Sequence, residues 1–304
     1  AVVGDAFVIY DANTGKLMDS RRGRHKGNIY CVAFAKDGVR FATAGEDKQV
    51  IIWKSNFEPE LKYQHKGTIL CLAFNPVTSQ IFSAGTTDYA LWTPDAANIQ
   101  KDNVANKVHC CAWSYDGQFV AYGTAGNNVI IRDKKMQEKC EIKKPAPVWC
   151  CEWTPITSEN SDSLLLVGCL DQTIGFYDVS GKRIGQTRNI GFDPLSISFF
   201  SNGEFFVIGG SNNKATLWSR EGGYIGVIYE DKSWIWSVRI KPKQNVVCIG
   251  TNDGVVSSHQ INFLVVHALY QDKYISRDLL TDIVIHNLSS DAKMRIKCKE
   301  LVKK

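Results

Sequence analysis

The sequence predicts an all-β chain folded as a seven-bladed β-propeller, and three observations carry the prediction. An apolar phrase recurs along the chain as IYCVAF at 29, ILCLAF at 69, VHCCAW at 108, VWCCEW at 148, LSISFF at 195 and IWSVRI at 235, close to the 40–45-residue period of a four-stranded blade. Each of the first, third and fifth phrases is followed by Asp-Gly or Asn-Gly, and the others by Pro-containing turns, as in KDG at 36, PVTSQ at 76 and KPKQN at 241; these are hairpin signals. A strand ending on an aromatic or polar residue then appears seven times, at Tyr10, Trp53, Trp92, Arg132, Tyr177, Trp218 and His259.

The elements follow in order within each repeat. The apolar phrase is the innermost strand. The second strand runs into small residues, as in FATAG at 41, IFSAG at 81, LLVGC at 165 and FVIGG at 206, which are expected to let neighbouring blades approach near a central channel. The third is the strand that ends at the residues just named. More polar outer strands follow, such as ELKYQ, KCEIKK, KRIGQTR and YIGVIYE, because their outer side faces solvent. One interval between phrases is long, and the polar run SENSDS at 158–163 accounts for it as a loop. The first blade lacks its innermost strand, since six phrases accompany seven third strands. The propeller is therefore expected over 1–264. Residues 265–304 hold its last outer strand and alternating strands that lead toward a further domain.

Composition narrows the function classes. A chain of 304 residues with 44% hydrophobic and 22% charged residues is globular and can bury a sizeable core. No apolar run approaches the length of a membrane span, and AVVGDAFVIYD is not a signal peptide. The chain opens without Met inside a strand-like stretch, so upstream residues are expected. Net charge is +5, yet KMRIKCKELVKK at 293–304 supplies all of it. A neutral body with a basic end does not suit a nucleic-acid groove, which needs positive charge along a binding face. The ten cysteines form no Cys-x-x-Cys pair. They are expected to be reduced core residues with no zinc site and no other metal or cofactor.

The clearest repeat is GRHKGNIYCVAFAKDGVRFATAGEDKQVIIW at 23–53. It resembles the WD40 repeat, and the resemblance implies a structural hydrogen-bond network of His25, Thr43, Asp47 and Trp53. An indole N–H or a carboxylate left unpaired between strands would be costly, and this chain of groups resolves each one. A hydrolase triad is the sharper alternative, but the same slots recur from blade to blade and no Gly-x-Ser-x-Gly elbow is present. No catalytic residue is assigned. Later copies degrade: the second keeps His65, Ser83 and Trp92 with Asp88 displaced, while Asp171, Asn213 and Asp253 persist and Tyr177 and His259 stand for Trp.

Among the aromatics, alternation puts Trp153 in one slot with Trp113, Phe34 and Phe74, a between-blade packing position. Trp149 and Trp234 sit at the start of the inner strand, where a rim could use them as partner anchors, with core filling the competing and favoured reading. Glu159 and Asp162 in the insert at 156–163, and Tyr270 and Arg277 in the final stretch, are the other candidate partner contacts.

A closer resemblance rests on KDGVRFA and DKQVIIW near the start, VSGKRIG at 179–185, NIGFDP at 189–194, and above all YQDKYISRDLLTDIVIHNL with MRIKCKELVKK at the end. These are similar to the WD-repeat subunits of the intraflagellar transport A complex over essentially the whole chain. The resemblance implies a non-enzymatic scaffold supporting retrograde ciliary transport, delivery of membrane proteins into cilia and cilium assembly. Its implied partners are the other complex A subunits and, indirectly, complex B trains, a dynein motor and membrane-protein cargo through a tubby-like adaptor, with no nucleic acid and no membrane insertion. The implied location is the cilium, at axoneme and basal body, with cytoplasm and cytoskeleton. A generic adaptor of a vesicle coat or a ubiquitin ligase is the alternative that blade repeats alone would satisfy, and an enzyme built on the ring is a third.

Overall fold

The structure is a computed structural model that describes residues 1–11, 14–93, 99–157, 162–263, 267–278 and 282–297. Every regular element among them is a β-strand, and sequence neighbours pair antiparallel into eight sheets. Sheet 1 (2–21) has three strands, sheets 2 to 6 have four each, and sheet 7 (235–260) has three. The innermost strands of sheets 2 to 7 are Ile29–Phe34, Ile69–Phe74, Val108–Trp113, Val148–Trp153, Pro194–Phe199 and Ile235–Ile240. The fifth begins at Pro194, one residue before the apolar phrase read from sequence. Sheet 1 contains the second, third and outer strands of its blade and no innermost one among the described residues, as the strand count predicts.

Successive innermost strands lie side by side, and Ala1 comes within electrostatic range of Cys248 on the second strand of sheet 7, so the series curves back on itself. The core is accordingly not one central mass. Six apolar clusters lie one at each junction from sheets 1–2 to sheets 6–7. Trp153 shows how a junction is built: it is fully buried, and its Nε1–H donates to Ala112 O of the previous innermost strand at 3.1 Å. Trp113 repeats the contact to Ala73 O at 3.3 Å. Truncating a buried aromatic of this kind costs about 3–5 kcal/mol.

Two expectations change here. Phe34 occupies the register slot of Phe74, Trp113 and Trp153, yet it is 67% exposed rather than packed. Its ring lies 5.5 Å from Phe41 of its own sheet, and sheet 1 holds no innermost strand among the described residues. The small residues of the second strands also act in two ways. In sheets 4 and 6, a Cβ on Gly123 or Gly209 would lie 2.4 Å from Val148 or 2.6 Å from Ile235 of the next blade, as expected. In sheets 2 and 3, a Cβ on Gly45 or Gly85 would strike the backbone oxygen of Asn28 or Thr68 at 2.0 or 1.9 Å, within the same blade.

Residues 267–297 form sheet 8, whose four strands pair with one another in sequence order. Within it, His267–Tyr270 bonds to Lys273–Asp278. No described helix is long and apolar enough to cross a membrane.

Candidate functional site

The repeat network is complete in sheet 2. Thr43 Oγ1 lies 2.7 Å from His25 Nε2 and accepts the Trp53 Nε1–H at 2.8 Å. His25 Nδ1 lies 3.0 and 2.9 Å from the two oxygens of Asp47. These partners fix the tautomer: Nδ1–H donates to Asp47, and Nε2 accepts the Thr43 hydroxyl. Asp47 also accepts the Lys26 and Gln49 amides, so one carboxylate ties the strand end to two loops. All four predicted residues meet, and the arrangement binds strand to strand without leaving a group open to substrate.

Sheet 3 keeps the network in a looser form. Trp92 Nε1–H donates to Ser83 Oγ at 3.2 Å, and His65 Nε2 is 2.8 Å from the same hydroxyl. The displaced Asp88 still comes within 3.2 Å of His65 Nδ1, but off the direction of a hydrogen bond. Burial outweighs the attraction of Asp88 and lowers the His65 pKa.

Later sheets substitute other chemistry. In sheet 4, Arg132 takes the tryptophan slot and donates to Tyr122 Oη, Met136 O and Glu138 Oε2 at 3.0, 2.9 and 3.0 Å. In sheet 5, Tyr177 accepts from Lys144 Nζ at 3.3 Å. In sheet 6, Trp218 donates to Thr216 two residues back at 2.8 Å. In sheet 7, His259 pairs with Ser257 at 2.9 Å.

A candidate contact surface is built by a different device. Each of the six innermost strands carries a β-bulge between its first and third residues. A bulge re-aims the extra side chain, and the residues so placed are Tyr30, Leu70, His109, Trp149, Leu195 and Trp236. Three of them, from sheets 4, 5 and 7, meet one another. His109 stacks on Trp149 with ring centroids 4.4 Å apart, and Trp149 meets Trp236 edge-on at 6.1 Å although sheet 6 lies between them in the series. Trp234, just before the strand, lies parallel to Trp236 at 6.4 Å and 5°. Burial, then the nearby Lys107, hold His109 below its ordinary pKa, so it stacks as a neutral ring at pH 7. Trp234 and Trp236 are 47% and 45% exposed, a large apolar area presented at one mouth of the channel.

The bulge register thus makes Trp236, not Trp234, the counterpart of Trp149. The same register aligns VWCCEW with IWSVRI, so Trp236 and His109 could have been found from the repeat alignment; their convergence could not.

The remaining candidates lie apart from this mouth. Asp162, next to last in the insert, has its side chain exposed, while its backbone oxygen accepts from Thr154 and Arg220, each at 3.2 Å. Glu159 lies outside the described residues. Tyr270, 70% exposed, and the half-buried Arg277 belong to sheet 8. The nine described cysteines are free thiols. Several line up between blades, with Cys110 Sγ 3.5 Å from Cys151 Sγ, and burial raises the Cys71 and Cys150 pKa values. Among the described residues, no three His, Cys, Asp or Glu side chains converge as metal ligands.

A ring of sheets with this repeat network and bulged channel residues defines a WD-repeat β-propeller. The β-propeller domain of Cps50 (Swd1) from Myceliophteria thermophila superposes with a TM-score of 0.72 over 84% of this chain and 91% of that one, at 14% identity, a likeness of fold alone. Residues 1–260 match the family described as the IFT122 first beta-propeller, and residues 267–304 match the IFT122 second beta-propeller. Intraflagellar transport protein 122 homologues from Mus musculus and Danio rerio are 42% and 43% identical over 99% of the chain. The Homo sapiens homologue is 35% identical over 99% of it. The chain belongs to the intraflagellar transport protein 122 family. It spans about a quarter of the length of these relatives, 26% of the mouse protein.

Proposed function

We propose that the chain is the first propeller, with the beginning of the second, of a scaffold subunit of intraflagellar transport complex A. In this reading residues 1–264 are the ring and 265–304 the passage into the next domain. The observation that carries it is the tandem match: sheet 8 pairs within itself immediately after sheet 7 and falls in the second-propeller match. A vesicle-coat or ubiquitin-ligase adaptor would leave that specific match unexplained. The role is to hold proteins rather than to catalyse, since a rigid ring pre-organises rim residues for recognition.

The partners proposed are the other complex A subunits and, through them, complex B trains, dynein and membrane-protein cargo delivered by a tubby-like adaptor. The place of action is the cilium, from basal body to axoneme. Trp149, Trp234 and Trp236 are the proposed anchors, with Asp162, Tyr270 and Arg277 as outlying contacts and Glu159 retained from sequence alone.

The test is to recover the tagged full-length protein from ciliated cells. Co-purification of the complex A subunits is expected; their absence would reject the reading. Replacing Trp149 and Trp236 together with alanine should cut recovery of at least one subunit about tenfold, as expected when clustered aromatic anchors are lost. Unchanged recovery with a folded ring would discard the anchor role.

A further inference from the structure

The fifth residue of each innermost strand, read around the ring, is Ala33, Ala73, Ala112, Glu152, Ser198 and Arg239. Three small residues on one side face a carboxylate, a hydroxyl and a guanidinium on the other. Glu152 and Arg239 flank the sheet 6 strand that carries Ser198, and they border a cavity of ≈ 340 Å³ together with Tyr115, Ser201 and Pro242. This cavity opens among the hairpin turns between first and second strands, and its wall includes Pro155 and Ile156. The aromatic mouth lies at the other end of those strands.

The two charges are unequally satisfied. One terminal nitrogen of Arg239 donates to Ser196 Oγ, Ile197 O and Val238 O at 3.2, 3.2 and 2.9 Å, which pins the guanidinium and leaves its other N–H groups for a ligand. Glu152 is coupled to Arg239 through space, and no ion pair joins them among the described residues. Burial raises the Glu152 pKa, and neither Arg239 nor the Phe199 amide offsets it. A carboxylate held this way gains from an arriving cation, while a lone cation would also meet Arg239. A ligand with both signs satisfies both groups.

We propose that this cavity is a second protein-binding site, which takes a partner segment presenting a basic side chain beside an acidic one, the base to Glu152 and the acid to Arg239. The proposal rests on the reading of the ring as a platform for proteins. It differs from that reading in where contact is made and in what is read, charge pairing rather than aromatic area.

The experiment titrates the full-length protein by calorimetry with three blocked peptides, Ac-Gly-Lys-Asp-Gly-NH2, Ac-Gly-Gln-Asp-Gly-NH2 and Ac-Gly-Lys-Asn-Gly-NH2. The Lys-Asp peptide is expected to bind about tenfold more tightly than either control, the gain of one charge-assisted contact. Glu152→Gln should abolish the preference for Lys over Gln and keep that for Asp over Asn. Arg239→Met should do the reverse. Both variants are checked for a retained cooperative unfolding transition, since Arg239→Met also removes the bonds to Ser196, Ile197 and Val238. Equal binding of the three peptides, no binding, or preferences that neither variant moves would overturn the proposal. Such a result alongside intact co-purification of complex A subunits would leave the scaffold reading standing.

Discussion

Sheets 2 and 5 occupy equivalent places in the ring and close their third strands by different means. In sheet 2 the closure is a buried chain from Trp53 through Thr43 and His25 to Asp47. In sheet 5 it is one phenol that accepts from Lys144. Both sheets nevertheless pack their neighbours through buried apolar clusters, and sheet 5 contributes Cys151, Trp153, Leu165, Val167 and Tyr177 to its own. Packing between blades is thus the common support, and the network is an addition that only some blades carry. Its loss should matter most where its groups are buried and least where water can replace the partner.

Changes along that comparison rank by burial. Thr43→Val keeps the volume and removes the hydroxyl that serves two buried partners, leaving an indole N–H and an imidazole nitrogen unsatisfied; a loss of about 3 kcal/mol is expected in denaturant unfolding. Trp53→Phe keeps an aromatic ring against Phe7 and Phe41 but removes the N–H, so a smaller loss of about 2 kcal/mol is expected by the same measurement. A Trp53→Phe loss larger than that of Thr43→Val would break the ranking.

The third change tests sheet 3 by pH. Because burial lowers the His65 pKa in the folded ring, the unfolded chain binds the proton more readily. The stability this provides is complete above the unfolded value of about 6.5 and is lost as pH falls from there toward the folded value. Thermal midpoints should therefore drop between pH 7.5 and 5.5, and His65→Gln should flatten the drop. An unaltered slope would assign the acid sensitivity elsewhere. The smallest effect is expected at Tyr177→Phe, within about 0.5 kcal/mol, since Lys144 can turn to water. A loss as large as that at Thr43 would show that sheet 5 relies on its single bond after all.

Much of this was legible beforehand, for a physical reason. His25, Thr43, Asp47 and Trp53 lie within one repeat, and strand pairing inside a hairpin fixes which of them face each other. The blade count was legible because each third strand leaves its own alternating signature. The displaced Asp88 could be located but not judged, since only coordinates show that it reaches His65 at a poor angle. Phe34 was placed in the right register and the wrong environment, because burial depends on a neighbouring strand and not on the residue's own.

The channel residues were harder to find. Trp149, Trp236 and His109 lie on strands separated by whole blades, and a one-residue bulge in each decides that they point at one another. Glu152 and Arg239 gave no repeat signal, because their slot holds alanine in three other blades. The sequence by itself determined the strands, their order, the blade period and the network of the best repeat, all of which follow from local alternation and short-range pairing. Only the tertiary structure decided which side chains share the channel, because that depends on how seven twisted sheets pack face to face around it.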